Sequence, residues 1–307
     1  MFVRCFLLAI VLVFQGFTAF AADIVSQVFP LERNGVNLYL ERLQASGGDP
    51  GKQILLAHGL TYSSHEFDVD VGDYSLARFL ADNGYAVWIL DIAGYGRSAK
   101  VEDGFTTTSD YAAEDIAAAA KLITTTSGQE KIDVLGWSWG TVTGGRFAAK
   151  YPDMVRKLVL YAPILAGLAE MEVTDPYKIP DWAHAASDFQ VKEDKTIDYD
   201  IVEPLVAAVF LSNCWRYDGA GSPNGGRRDL LVSPAKRLIP TATIKAPTLM
   251  IYGDKDDYIN LEASNEALPS LPEGSKLEVI PGAAHAMMME KPYYKTFRET
   301  VIKFLQD

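Results

Sequence analysis

The chain has 307 residues, 49% of them hydrophobic, and carries 28 basic against 40 acidic side chains, for a net charge of −12. That length suits one large domain or one domain with an insertion, and the hydrophobic fraction is enough for a full core. The acidic balance argues against nucleic acid as a partner, because phosphate binding needs basic patches.

At the N-terminus, Arg4 precedes the apolar run Phe6–Phe14 and the small-residue pattern Ala19–Phe20–Ala21. This predicts a secretory signal peptide over residues 1–21, cut before Ala22. The run is too short to span a bilayer, and no cysteine stands at the cleavage point for lipid attachment. The mature protein is therefore expected to be periplasmic or extracellular, with no stable membrane anchor. Cleavage removes Cys5 and leaves Cys214 alone, so no internal disulfide is expected. Cys214 reads as a small buried hydrophobe rather than a nucleophile.

Two alternating stretches, Val25–Phe29 and Val36–Leu43, flank Asn34–Gly35 and predict an antiparallel hairpin. Apolar runs without alternation follow at Gln53–His58, Tyr85–Asp91, Lys131–Gly136, Val155–Ala162, Pro247–Gly253 and Lys276–Gly282. Strands buried on both faces have this texture. Helical patterns lie between and after them, at Tyr74–Gly84, Tyr111–Gly128, Thr141–Pro152 and Tyr293–Leu305. The alternation predicts an α/β fold, a mostly parallel sheet of about eight strands with helices on both faces. Between Pro163 and Lys245 the rhythm breaks: roughly eighty residues separate two sheet strands, far more than an ordinary crossover. That stretch carries Trp182, Phe189, Phe210 and Trp215 and a polar loop, Asp218–Asp229. It reads as a mainly helical cap, residues 163–245, inserted between core segments 22–162 and 246–307.

Gly136–Trp137–Ser138–Trp139–Gly140 matches G-x-S-x-G. Alone the match is weak; its setting, after an apolar strand and at the start of a helix, is that of a nucleophile elbow. Glycine at both ends relieves crowding in a sharp turn, and the helix directs its N-terminal dipole toward the serine. A serine hydroxyl needs a base. Among the four histidines, His58, His65, His184 and His285, the last follows the final predicted strand and is the expected base. The base needs an orienting carboxylate. Asp254, Asp256 and Asp257 all follow the preceding strand; Asp256 is favoured and the other two remain open. Oxyanion donors are expected from the backbone N–H groups of Trp139 and Leu60. The His58 side chain is expected to pack and bond locally, building that loop.

HGLTYSS (His58–Ser64), LDIAGYGRS (Leu90–Ser98), GWSWG (Gly136–Gly140), GDKD (Gly253–Asp256) and GAAH (Gly282–His285) occur in this order. From Val25 to the C-terminus the chain thus resembles the α/β-hydrolase superfamily. The resemblance implies that fold, with a Ser…Asp…His order and the His285 loop facing the serine across the sheet edge. Trp139 after the serine is similar to prolyl-iminopeptidase-like members and to some esterases.

An aspartate at position 138 would point to dehalogenation or epoxide opening; serine points to acyl chemistry. Neither metal nor cofactor is called for. The expected partner is a small, partly apolar acyl substrate, with Trp137, Tyr62, Trp182, Trp215 and Met287 as pocket candidates. The leading function is hydrolysis of a carboxylic ester. An aminopeptidase acting on short peptides is the alternative, and would need a cap carboxylate such as Glu193 or Glu203 for the substrate amine. A non-catalytic, ligand-binding member of the fold is the third reading.

Overall fold

The computed structural model describes residues 23–48 and 50–307; the expected signal peptide lies outside them. Strands β1 (Ile24–Arg33) and β2 (Val36–Ala45) form an antiparallel hairpin. Its turn places Asn34 and Gly35 at φ 54° and 77°, the left-handed geometry that the Asn-Gly pair favours. The chain then alternates: β3 (Lys52–Ala57), α1 (Leu76–Asp82), β4 (Tyr85–Asp91), α2 (Ser109–Ser127), β5 (Ile132–Trp137), α3 (Trp139–Lys150) and β6 (Val155–Tyr161). Next come β7 (Tyr177–Lys178), α4 (Trp182–Ala186), the 15-residue α5 (Pro204–Asp218), β8 (Ser222–Pro223) and α6 (Gly225–Leu230). The chain closes with β9 (Thr248–Gly253), α7 (Leu261–Ala267), β10 (Lys276–Ile280) and α8 (Tyr294–Gln306).

Eight strands form one sheet in the order β1-β2-β4-β3-β5-β6-β9-β10. The two pairings of β2 are antiparallel and the others parallel. β4 shows why the central runs lack alternation. Tyr85, Val87 and Ile89 enter the core shared with α1 and α8, while Ala86, Trp88 and Leu90 enter the core shared with α2 and α3. Both faces are covered, so both sets must be apolar.

The helix ends follow local rules. The Ser75 hydroxyl caps α1 by accepting from the Arg78 N–H, the Thr108 hydroxyl caps α2 by accepting from the Tyr111 N–H, and Gly128 closes α2 at φ 72°. Helix α7 has no counterpart in the sequence reading; it is short, and its stop signals are weak. Its start is set by Asn260, whose side chain accepts from the Ala263 N–H.

The residues between β6 and β9 are tied to the sheet edge by one carboxylate. Asp218, the last residue of α5, accepts from the N–H and hydroxyl of Ser63 at 3.0 and 2.9 Å, from His65 Nε2 at 3.1 Å and from the Gly96 N–H at 2.9 Å. Burial alone would raise this carboxyl; the His65 bond and the backbone donors hold it below its ordinary value. α5 is thereby fastened to the loops after β3 and β4. Cys214, on the same helix, is a free and fully buried thiol that burial pushes up. Among the described residues no helix is long and apolar enough to cross a membrane.

Candidate active site

Ser138 joins β5 to α3 with φ 56° and ψ −120°, a conformation a non-glycine residue rarely holds. The flanking glycines are required by close approach. A Cβ on Gly136 would stand 2.1 Å from the Gly140 carbonyl oxygen, and one on Gly140 would stand 2.0 Å from the Ala57 carbonyl oxygen. The Ser138 N–H donates to the Tyr161 carbonyl at 3.0 Å, and the Ser138 carbonyl accepts from the Thr141 N–H and hydroxyl at 2.9 and 2.5 Å. The turn is thus fixed from both sides.

His285 and Asp256 come from the loops after β10 and β9. His285 Nδ1 lies 2.8 Å from Asp256 Oδ2, and the other oxygen of Asp256 accepts from the Tyr258 N–H at 3.0 Å. Asp254 does different work: its carboxylate accepts from the Gly282 N–H at 2.7 Å and ties the two loops together. Asp257 is exposed. Burial would lower the His285 imidazolium, but the charge and hydrogen bond of Asp256 outweigh it and hold it above its ordinary value. The carbonyl of His285 accepts from the Trp137 indole at 3.0 Å and from the Tyr161 hydroxyl at 2.7 Å. Those two groups hold the histidine backbone against the end of the sheet.

Ser138 and His285 both line a cavity of about 180 Å³, together with Leu60, Tyr62 and Trp137. The Leu60 and Trp139 N–H groups donate no hydrogen bond among the described residues. The glycine before Leu60 is held by the carboxylate of Glu66, which accepts from its N–H at 2.6 Å. Glu66 is 2% exposed, and burial pushes its carboxyl well above the usual range. His58 accepts from the Ile92 N–H through Nε2 at 3.1 Å and donates through Nδ1 to the Gly59 carbonyl at 2.8 Å. Burial lowers its imidazole, so it is a neutral strut of the loop. His65 is buried against Asp218 rather than lying at the surface or in the pocket.

The two tryptophans beside Ser138 face different cores. Trp137 belongs to the core of α1 and α8, stacks on Tyr161 at 5.7 Å and reaches the cavity. Trp139 belongs to the core of α2 and α3. Its indole donates to the Ser109 hydroxyl at 2.9 Å and packs beside Tyr95 and His58.

Three pocket candidates lie elsewhere. Trp182 and Trp215 pair with each other at 6.0 Å on the outer surface, 60% and 40% exposed. Met287 is fully buried in the core behind the His285 loop. The interposed residues instead present His184, Asp188 and Arg227 to the cavity, with Leu168, Leu230 and Leu231 as its apolar part. Burial pushes the Asp188 carboxyl up to about 7, against the pull of His285. Glu193 and Glu203 are exposed or half-buried outside it. Asp188 and Arg227 escaped the sequence reading, because one sits in a segment with no periodic pattern and the other in a glycine-rich polar loop. Glu66 gave more signal, lying two residues past the HGLTYSS motif. Among the described residues no group of three or more His, Cys, Asp or Glu side chains is placed to hold a metal ion.

Comparison with known proteins agrees with this architecture. The chain is 28% identical over 267 residues to a putative non-heme chloroperoxidase of Synechocystis, covering 82% of this chain and 89% of that protein. It is 25% identical over 248 residues to a bifunctional esterase/perhydrolase of Acinetobacter calcoaceticus, covering 76% and 85%. Among solved structures, a bromoperoxidase from Bacillus anthracis superposes with a TM-score of 0.68 at 19% identity, covering 92% of this chain and 100% of that one. The family model described as serine aminopeptidase, S33, matches residues 48–292. That span runs from the start of β3 past the His285 loop, and the chain belongs to this family of α/β-hydrolases.

Proposed function

We propose that the chain is an exported serine hydrolase that cleaves short-acyl carboxylic esters through an acyl-enzyme. The observation that carries this reading is the 2.8 Å bond from His285 Nδ1 to Asp256 Oδ2 beside a cavity that Ser138 also lines. With Nδ1–H donated to Asp256, Nε2 is free to act as base. Ser138 Oγ bonds to the ester carbonyl carbon as its proton passes to His285 Nε2. The oxyanion that forms is held by the Leu60 and Trp139 N–H groups. The C–O bond to the alcohol then breaks, and His285 returns the proton to the departing oxygen. Water attacks the acyl-enzyme in the reverse sense, giving its proton to His285; the acid leaves and Ser138 is regenerated.

The cavity, about 180 Å³, is below the roughly 300–1,000 Å³ common for drug-sized ligands, which favours short acyl groups. The relative named an esterase/perhydrolase supports ester chemistry. In this reading residues 163–245 form the cap over the site, and residues 1–21 direct export to the periplasm or beyond. The test is hydrolysis of p-nitrophenyl esters of increasing acyl length, with a fluorophosphonate probe as a label. Turnover that falls with acyl length and is abolished in Ser138→Ala is expected; labelling that persists in that variant refutes the nucleophile. The mature N-terminus should begin at Ala22.

One observation favours a second reading. Asp188 supplies a cavity carboxylate that could hold a substrate amine, as an aminopeptidase requires. Faster cleavage of proline arylamides than of esters would select it.

A further inference from the structure

Arg227 is a half-buried arginine whose partners differ from those of Arg33, Arg97 and Arg156. Arg33 meets Asp115, Arg97 meets Asp91 and Glu41, and Arg156 meets Asp133. Arg227 lines the cavity and forms no ion pair among the described residues. Its guanidinium is held by two neutral oxygens. One terminal nitrogen donates to Asn224 Oδ1, and the other donates to the Thr61 hydroxyl at 3.1 Å. Asn224 is itself fixed, its side chain donating to the Asp175 carbonyl at 2.9 Å and its backbone N–H to the Pro176 carbonyl at 2.9 Å. Thr61 lies 2.9 Å from His184 Nε2. Burial, with Arg227 close by, depresses the His184 imidazole. The fork is therefore aimed and held by groups that leave its charge unbalanced.

An arginine carries five N–H donors and stays protonated. Withdrawing such a charge from water without a counter-ion is costly, more so where it is held rigidly enough that it cannot swing out. In a chain of net charge −12, the surrounding field does not attract an anion; a local cation has to. Asp188 and Glu66 share the cavity, but neither pairs with Arg227, and burial raises both carboxyls above their ordinary values. The open valence of the site is thus positive, next to apolar Leu230 and Leu231, on the wall formed with Thr61 directly after the oxyanion donor Leu60.

We infer that Arg227 binds a carboxylate at the far end of the substrate's acyl group, so that the preferred substrates are monoesters of short dicarboxylic acids. This rests on the ester-hydrolase reading above and names its substrate class. The acyl side is chosen because that part stays in the cavity through both half-reactions, whereas a grip on the alcohol would delay its release.

The test compares mono-p-nitrophenyl glutarate with p-nitrophenyl valerate, similar acyl chains that differ in the terminal carboxylate, in the wild type, Arg227→Gln and Arg227→Lys. Glutarate binding is measured in parallel by calorimetry. Fluorophosphonate labelling and melting temperature establish that each variant is folded with a reactive serine. The wild type is expected to prefer the charged ester by about 10² or more in kcat/KM, since the neutral ester leaves a half-buried charge unpaired. In Arg227→Gln the ratio should collapse toward one and glutarate binding should vanish. Arg227→Lys should fall between, keeping the charge without the two-pronged geometry. A wild-type ratio near one, or a high ratio that survives Arg227→Gln, overturns the inference while leaving the hydrolase reading intact. If neither ester is cleaved but glutarate binds through Arg227, the hydrolase reading fails and the anion site stands.

Discussion

The elbow makes a sharp demand of Gly136, and Gly136→Ala tests it. The added Cβ would stand 2.1 Å from the Gly140 carbonyl oxygen and 2.3 Å from its carbon, where ordinary contact begins at 3.4 Å. Both obstacles are backbone atoms in the first turn of α3, so no side-chain rotation relieves them. The helix would have to retreat from β5 by more than 1 Å, in an interior packed at crystal-like density. Overpacking of this kind costs about 3 kcal/mol, and at about 2–4 °C per kcal/mol the melting temperature should fall by roughly 6–12 °C. Ser138 and the Trp139 N–H move with the helix. A displacement near 1 Å costs on the order of 10² in rate, so p-nitrophenyl acetate hydrolysis should drop by that factor with every catalytic side chain present. Gly144→Ala on the same helix is the control. Its Cβ would meet only a methyl of Val134 at 3.4 Å, and alanine's helix propensity should make that change neutral or stabilising by up to about 1 kcal/mol. Calorimetry and initial rates on both variants decide the matter. If Gly136→Ala melts within about 2 °C of the wild type and keeps most of its activity, close backbone approach is not why glycine stands there.

Asp256→Asn should lower kcat by about 10⁴, by analogy with loss of an orienting aspartate elsewhere. It should also move the His285 imidazole titration, followed by NMR, to lower pH, because Asp256 is what holds that group up; an unmoved titration refutes the assignment. Asp188 and Glu290 raise the same imidazole less strongly. The wild-type kcat/KM should therefore climb with pH through a midpoint above about 6.5, and Asp188→Asn should shift that midpoint down. A Cβ on Gly226 would meet the Trp139 indole at 2.5 Å, so Gly226→Ala should be destabilising, and Trp139→Phe should relieve part of that cost. Additive losses in thermal unfolding of the double variant would show that the two positions do not touch.

The core was legible because its physics is periodic. Strands covered on both faces are mostly apolar, as in Tyr85–Asp91, and that texture located the central parallel strands to within one residue at either end; β10, expected to be buried on both faces, is instead an edge strand with Lys276, Glu278 and Val279 exposed. The Ser138, Asp256 and His285 positions stand out for a related reason: Ser138 follows β5 directly, the other two lie in the loops after β9 and β10, and the ends of parallel strands converge on one edge. The cavity wall contributed by residues 163–245 follows no such rule. The direction of a side chain there depends on how the helices dock, so counting aromatics favoured Trp182 and Trp215, which face solvent. Arg227 was hidden in Asp218–Asp229, where glycine and charge together read as a solvated loop. The same glycines prove to be packing devices. A Cβ on Gly225 would stand 2.5 Å from the Thr107 carbonyl oxygen, and Gly226 abuts the Trp139 indole.

That contact links the two halves of the site. Strand β5 ends on Trp137, which turns to one face of the sheet and fixes the carbonyl of His285. One residue past Ser138, Trp139 turns to the opposite face and supplies the surface on which Gly226 rests. Arg227 is the next residue. The ring next to Ser138 in the chain therefore also packs against the start of the helix that carries Arg227, and Asn224 and Thr61 hold its head group. A substitution at Trp139 that spares the serine's reactivity should still loosen Arg227. Its signature would be a fall in the preference for the charged ester at unchanged fluorophosphonate labelling. Loss of labelling in step with the preference would mean instead that Trp139 serves the nucleophile alone.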